Sequence, residues 1–202
     1  MTIAGRSSAS HAKGCAPGVR PESASAARYA PFVPFIRIKR LRLVTEPEIN
    51  LRLVTASDEE FLLDLYCAMR RDEVAAFGWE QEQAEAFLRM QFAARQMAYK
   101  MQFPAAVHEI ILAGEIAVGS LIVDRTAEQI VLTDIAVLPQ FQGRGIASHL
   151  VKQIQIEAAS AKIPIVLRVD KVNLHALKFY KKRGFRVTGE TEILYQMTWA
   201  DS

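Results

Sequence analysis

With 202 residues, half of them apolar and 8% aromatic, the chain has the length for one globular core plus an extension and lacks the composition of a disordered or fibrous polypeptide. Its net charge of +3 is unevenly placed: residues 1–50 carry eight Lys or Arg against three acidic residues, and the rest of the chain carries 17 against 19. Such a distribution argues against nucleic acid as a partner, since tracking a phosphate backbone needs basic residues clustered on the folded part. No apolar run reaches the roughly 18 to 20 residues that cross a bilayer, so no membrane partner is expected and the protein reads as soluble.

In chain order, residues 1–45 read as a disordered basic leader, rich in Ser, Ala, Gly and Pro over their first 35 positions. The leader lacks the continuous apolar stretch of a secretory signal. Leu41-Arg42-Leu43-Val44-Thr45 recurs as Leu51-Arg52-Leu53-Val54-Thr55, and the second copy is expected to form the first strand of a domain spanning 46–202. Ser57 followed by Glu60 suggests a capping box. Phe61, Leu62, Leu65 and Ala68 then recur at helical spacing, and a second helix is expected from Gln81 to Tyr99. Strand signals follow at His108–Leu112, Ile116–Val123 and Ile130–Val137, the last apolar on both faces as a central strand would be. A glycine-containing loop leads into a helix with an apolar face of Ala147, Leu150, Val151, Ile154 and Ala158. A strand at Pro164–Val169, a helix at Asn173–Arg183 stopped by Gly184, and strands at Phe185–Val187 and Ile193–Trp199 complete the order β-α-α-β-β-β-α-β-α-β-β. This order implies a mixed α/β (α+β) domain, a sheet covered by helices.

The loop Gln142-Gly143-Arg144-Gly145-Ile146-Ala147-Ser148 sits between the central strand and a helix start. Glycines admit a ligand close to backbone N–H groups, and a helix start adds unpaired donors and a positive dipole end. Together they suit a diphosphate, although a tight turn capping an ordinary helix would use the same glycines. Ile146-Ala147 stand where a P-loop needs Lys and Ser or Thr. A dinucleotide-binding fold would require a βαβ order from the start of the domain. Cys15 and Cys67 form neither a CxxC pair nor a zinc-like cluster with the four histidines, so no metal is expected and a reducing, cytoplasmic compartment fits.

Two segments resemble the GNAT superfamily of N-acetyltransferases. The family loop Gln/Arg-x-x-Gly-x-Gly/Ala is met by Gln142, Gly145 and Ala147, following the run Ile135-Ala136-Val137-Leu138-Pro139-Gln140-Phe141. A second family pattern, Asn-x-x-Ala-x-x-x-Tyr-x-x-x-Gly-Phe, is met by Asn173, Ala176, Tyr180, Gly184 and Phe185. The resemblance covers about residues 50 to 200. It implies a mostly antiparallel central sheet flanked by helices and acetyl-CoA as cosubstrate. It further implies that backbone N–H groups of Gln142, Gly143, Arg144, Gly145, Ile146, Ala147 and Ser148 hold the diphosphate. The strand end Ile135, Ala136 and Val137 would pair with the pantetheine arm, and an N–H at Val137 or Leu138 would polarise the thioester carbonyl. The acceptor implied is a primary amine on a small molecule, peptide or protein. Homodimers are common in such families, though the sequence carries no interface signature.

In such a transfer an amine loses a proton as it attacks, an oxyanion develops, and a thiolate leaves. Tyr180 shares a helix face with Asn173 and Ala176, so it is placed either to protonate the thiolate or to serve as a core tyrosine with its hydroxyl at the rim. Asn173 either bonds the pantetheine arm or caps its helix. Asp134, a carboxylate in an otherwise apolar strand, is a candidate base whose pKa burial would raise, or else a structural hydrogen-bond acceptor. His108 and Glu109 are alternatives for the base. Arg144 either adds charge at the phosphates or faces solvent. Trp79, Tyr99 and Phe103 are candidates for the acceptor pocket. A second reading, from another class, is a catalytically inactive acyl-CoA-binding sensor.

Overall fold

The computed structural model describes residues 48–201, so the expected leader and the first copy of the five-residue echo lie outside the described residues. The described chain runs β1 (Ile49–Leu53), α1 (Glu59–Ala75), α2 (Gln81–Gln102), β2 (Val107–Ala113), β3 (Ile116–Arg125), β4 (Ile130–Val137), α3 (Ile146–Ala161), β5 (Ile165–Asp170), α4 (Leu174–Lys181), β6 (Arg186–Glu190) and β7 (Leu194–Trp199). This is the order expected from the sequence. None of the described helices is long and apolar enough to cross a membrane.

The seven strands form one sheet in the order β1-β2-β3-β4-β5-β7-β6. Every neighbouring pair is antiparallel except β4 with β5. One face of the sheet carries the main core. Ile111, Val118, Leu121, Leu132, Ile165, Leu167 and Met197 pack there against Ile146, Leu150, Val151, Ile154 and Ala158 of α3. On α1 and α2, Tyr66, Val74 and Leu88 form a smaller cluster. Gln155, the buried polar residue of α3, donates to the Arg183 carbonyl at 2.8 Å and so avoids the cost of an unpaired buried amide.

The capping box before α1 sits two residues earlier than expected. Asp58, not Glu60, closes it by accepting from the Thr55 backbone N–H and hydroxyl, both at 2.8 Å. Arg52 grips the same carboxylate with two nitrogens at 2.8 and 2.6 Å, which ties β1 to the helix entrance. These partners, the Arg52 guanidinium first, hold the Asp58 carboxyl well below the usual range.

One irregularity shapes everything downstream. β4 pairs with β5 only from Ile130 to Leu132. On its other edge the register with β3 jumps so that Val123 faces Leu132 while Ile122 faces Asp134, leaving Thr133 as an extra residue. Such a bulge bends the strand, and β4 parts from β5 just where it occurs. The bulge also changes which side chains share a face. Strict alternation would put Asp134 on the core face with Ile130 and Leu132. The added residue sends Ile135 and Val137 to the core instead and turns Asp134 to the opposite face.

Candidate active site

Beyond Leu132 the two parallel strands open into a wedge. Among the described residues no strand pairs with the β4 edge facing it, and the ladder to β3 determines which groups it presents. Leu138 donates its N–H to Val118 O at 2.8 Å, so Gly119 and Val137 form a non-hydrogen-bonded pair. The Val137 N–H and carbonyl therefore point away from β3, toward the wedge. Of the two candidate polarising donors, the one at Leu138 is engaged within the sheet and the one at Val137 is not. Close approach of the strands also explains Gly119, where a Cβ would lie 2.2 Å from Ala136 O.

The glycine loop lies beyond the far end of β4, just before α3. Gly143 and Gly145 take φ of 72° and 87°, a left-handed conformation that costs other residues about 1–2 kcal/mol. A Cβ built on either would meet none of the described residues within 4 Å, so among them open space lies over the loop. Among the described residues, no N–H from Gly143 to Ser148 has a backbone acceptor. Six successive donors thus stand at the entrance of a 16-residue helix, with the positive end of its dipole. Gln142 differs from the expectation: its N–H donates to Pro139 O, closing the short turn before the loop. Its side chain donates to Val137 O at 2.9 Å and to Met69 Sδ at 3.3 Å, binding the loop to the strand end and to α1. Arg144 folds back, donating to Gln140 O at 3.0 Å with its guanidinium 5.0 Å from the Phe141 ring centre.

Beside the opening lies a cavity of about 710 Å³, walled by α1, α2, β2 to β5 and α4. Asp134, Ile135, Ala136, Asn173 and Tyr180 all line it; Val137 and residues 142–148 do not. Tyr180 is 8% exposed and held edge-on between Phe179 and Phe185, with centroids at 5.1 and 5.4 Å. Burial, then the nearby Asp134 charge, push its phenol above the usual tyrosine range and keep it protonated. Gly184, at φ 84°, makes the turn after α4 from which Phe185 reaches the ring. Asn173 caps α4, its side-chain oxygen accepting from Ala176 N at 2.9 Å, which realises the capping alternative. Ser148 accepts from Arg183, whose guanidinium stacks 3.5 Å from the Phe179 ring centre, so α3 and α4 are linked beside the loop.

Asp134 is paired. Arg95 of α2 reaches it at 2.6 Å while donating through Nε to the Tyr99 hydroxyl at 3.0 Å. The Arg95 guanidinium lies 5.4 and 5.1 Å from the Tyr66 and Tyr99 ring centres. Burial raises the Asp134 carboxyl; the Arg95 charge and an N–H from Ile135 oppose that rise without cancelling it. Sequence reasoning missed Arg95, although it stands in the inward stripe of α2 with Leu88, Phe92 and Tyr99, where an arginine is out of pattern.

The remaining expectations divide. His108 lines the cavity, and burial, then Arg95, lower its pKa so that the ring is neutral. Glu109 pairs with Leu121 on the core side of the sheet and does not line the cavity, which removes it as a base facing that space. Tyr99 lines the cavity, whereas Trp79 and Phe103 do not. Trp79 packs instead on Phe77 and Phe87, with centroids at 5.0 and 4.9 Å.

A seven-stranded, mostly antiparallel sheet that splays at its one parallel pair, above a helix-start loop rich in free N–H groups, defines a GNAT-like protein. The acetyltransferase (GNAT) domain model matches residues 71–195, more than half of the chain, and the chain belongs to that family. No curated protein matches it. Solved structures share the fold. The PaiA N-acetyltransferase from Thermoplasma acidophilum, in complex with coenzyme A, is 17% identical with a TM-score of 0.58 over 76% of this chain and 99% of that one. An acetyltransferase from Thermus thermophilus is 19% identical, with a TM-score of 0.54 over 76% and 97%. The Campylobacter jejuni N-acetyltransferase PseH is 17% identical, with a TM-score of 0.50 over 76% and 99%.

Proposed function

We propose that this protein transfers the acetyl group of acetyl-CoA directly to a primary amine while both are bound. The observation that carries the reading is the run of six free N–H groups at the α3 entrance, placed where the unpaired β4 edge ends. A diphosphate fits them: they are donors without acceptors, and the glycines leave its approach open. The side chains of Gln142 and Arg144 act by fixing the loop rather than by touching phosphate. The β4 edge from Ile135 to Val137 would then pair with the pantetheine amides as an added strand, and its parting from β5 gives that arm room. The coenzyme supplies an activated acetyl thioester; the chain supplies position and proton transfer.

Val137 N–H faces the developing oxyanion and stabilises it. Asp134 takes the proton released as the amine's C–N bond forms, and Tyr180 gives its proton to the sulfur as the C–S bond breaks. Both roles suit their surroundings, since burial moves the Asp134 carboxyl toward a useful base and keeps the Tyr180 phenol protonated. A free Cys67 thiol suits a reducing, cytoplasmic setting.

Gly145→Glu tests the placement. It puts bulk and negative charge over the free donors, and coenzyme A binding by calorimetry should vanish while the circular dichroism spectrum is retained. Unchanged affinity would refute the site. Release of free thiol from acetyl-CoA across a panel of amines separates an enzyme from an acyl-CoA sensor, which would bind and not turn over.

A further inference from the structure

The cavity wall carries three cations, Arg70, Arg95 and Arg168, and three anions, Glu73, Asp134 and Asp170. Four of these satisfy one another: Arg70 with Glu73 at 2.8 Å and Arg95 with Asp134 at 2.6 Å. Arg168 and Asp170 enter no ion pair among the described residues. They stand two apart on β5, on the face opposite the buried Leu167 and Val169, along the stretch where β4 has left the strand uncovered. Both are exposed and line the cavity, so one positive and one negative group are accessible to a ligand there.

A second observation concerns hydrogen bonding. Four buried side-chain atoms among the described residues lack a partner, and three of them, Arg70 Nε, His108 Nε2 and Thr133 Oγ1, belong to residues lining this cavity. Unpaired buried polar atoms are rare in folded proteins. Arg70 Nε can only donate, so what satisfies it must bring an acceptor atom. The remaining wall is apolar or aromatic: Leu62, Leu65, Tyr66, Phe92 and Tyr99.

Resting on the acetyl-transfer reading, we infer that the acceptor is a free α-amino acid with an apolar or aromatic side chain, its amine held by Asp170 and its carboxylate by Arg168. A polyamine or a lysine-rich peptide would leave Arg168 unmatched and bring further cations beside Arg70 and Arg95. A peptide N-terminus offers the amine without the carboxylate.

The test compares L-phenylalanine, L-phenylalanine amide and 2-phenylethylamine as acceptors for the full chain with acetyl-CoA. Thiol release gives kcat/KM, corrected for the neutral fraction of each amine. The free amino acid should lead by about tenfold or more, the usual worth of a charge-assisted hydrogen bond. Arg168→Gln should reduce that lead to near parity. Equal or better use of the amide, or an undiminished lead in Arg168→Gln, overturns the inference. Turnover of a polyamine or peptide in place of all three overturns it too and leaves acetyl transfer standing, whereas loss of coenzyme A affinity overturns that earlier reading. Calorimetry of L-phenylalanine against the protein alone decides the cavity assignment without turnover: binding lost in Arg168→Gln supports it, and no binding refutes it.

Discussion

Replacing Arg95 with Met keeps the length and volume of the side chain and removes its charge. Asp134 would then be a largely buried carboxylate without its partner. Truncating one member of a fully buried pair costs about 3–5 kcal/mol. Here the side chains retain 33% and 21% of their exposure, so about 2 kcal/mol is expected. For a domain of this size that lowers Tm by roughly 4–8 °C. The effect should depend on pH with a definite sign. Burial raises the folded-state pKa of Asp134 above its unfolded value, and Arg95 is the chief opposing influence. A carboxyl with a raised folded pKa favours folding below its unfolded pKa, about 3.9, and loses that contribution as pH rises through the folded value. Without Arg95 the folded value rises further. The Tm deficit of Arg95→Met should therefore be largest near pH 8 and shrink as pH falls toward 4. Adding Asp134→Asn to the variant should restore part of the loss, because the unpaired charge is gone. Thermal unfolding of wild type, both single variants and the double variant at several pH values decides this. A deficit constant with pH, or a double variant no more stable than Arg95→Met, would refute the reasoning.

Further outcomes follow from the same geometry. Tyr180→Phe should lower kcat by about tenfold or more while coenzyme A affinity stays within about twofold, since the ring packing survives and only the proton donor goes. Because the phenol titrates above the usual tyrosine range, wild-type activity should show no fall attributable to Tyr180 below about pH 10; a basic limb that vanishes in Tyr180→Phe at lower pH would contradict this. Asn173→Ala should cost about 1 kcal/mol, the worth of a helix cap, and leave coenzyme A affinity unchanged. A tenfold weaker affinity by calorimetry would mean that the side chain leaves its cap to hold the coenzyme.

Much of this architecture is legible in the sequence, because local chemistry marks it. Period-2 apolar runs mark the strands, inward stripes such as Leu150, Val151, Ile154 and Ala158 mark the helices, and glycines mark the positions that must take positive φ. Gly143, Gly145 and Gly184 all do so. The capping box stands two residues before the Ser57–Glu60 pattern because Asp58 gains from Arg52, a partner outside that local pattern. Trp79 and Phe103 do not line the cavity as Tyr99 does, because aromatic character does not encode direction: on α2, Tyr99 falls in the inward stripe, while Trp79 precedes the helix and packs on Phe77 and Phe87.

Sequence alone determined the succession of elements and the donor-rich loop, since both depend on interactions between residues near in the chain. Tertiary structure decided which groups face one another. A single bulge residue, Thr133, turns Asp134 from the core to the cavity and ends the pairing of β4 with β5. Arg95 meets Asp134 from a helix some forty residues earlier. Strand register and helix docking set such juxtapositions through packing over long chain separations, which local spacing does not record.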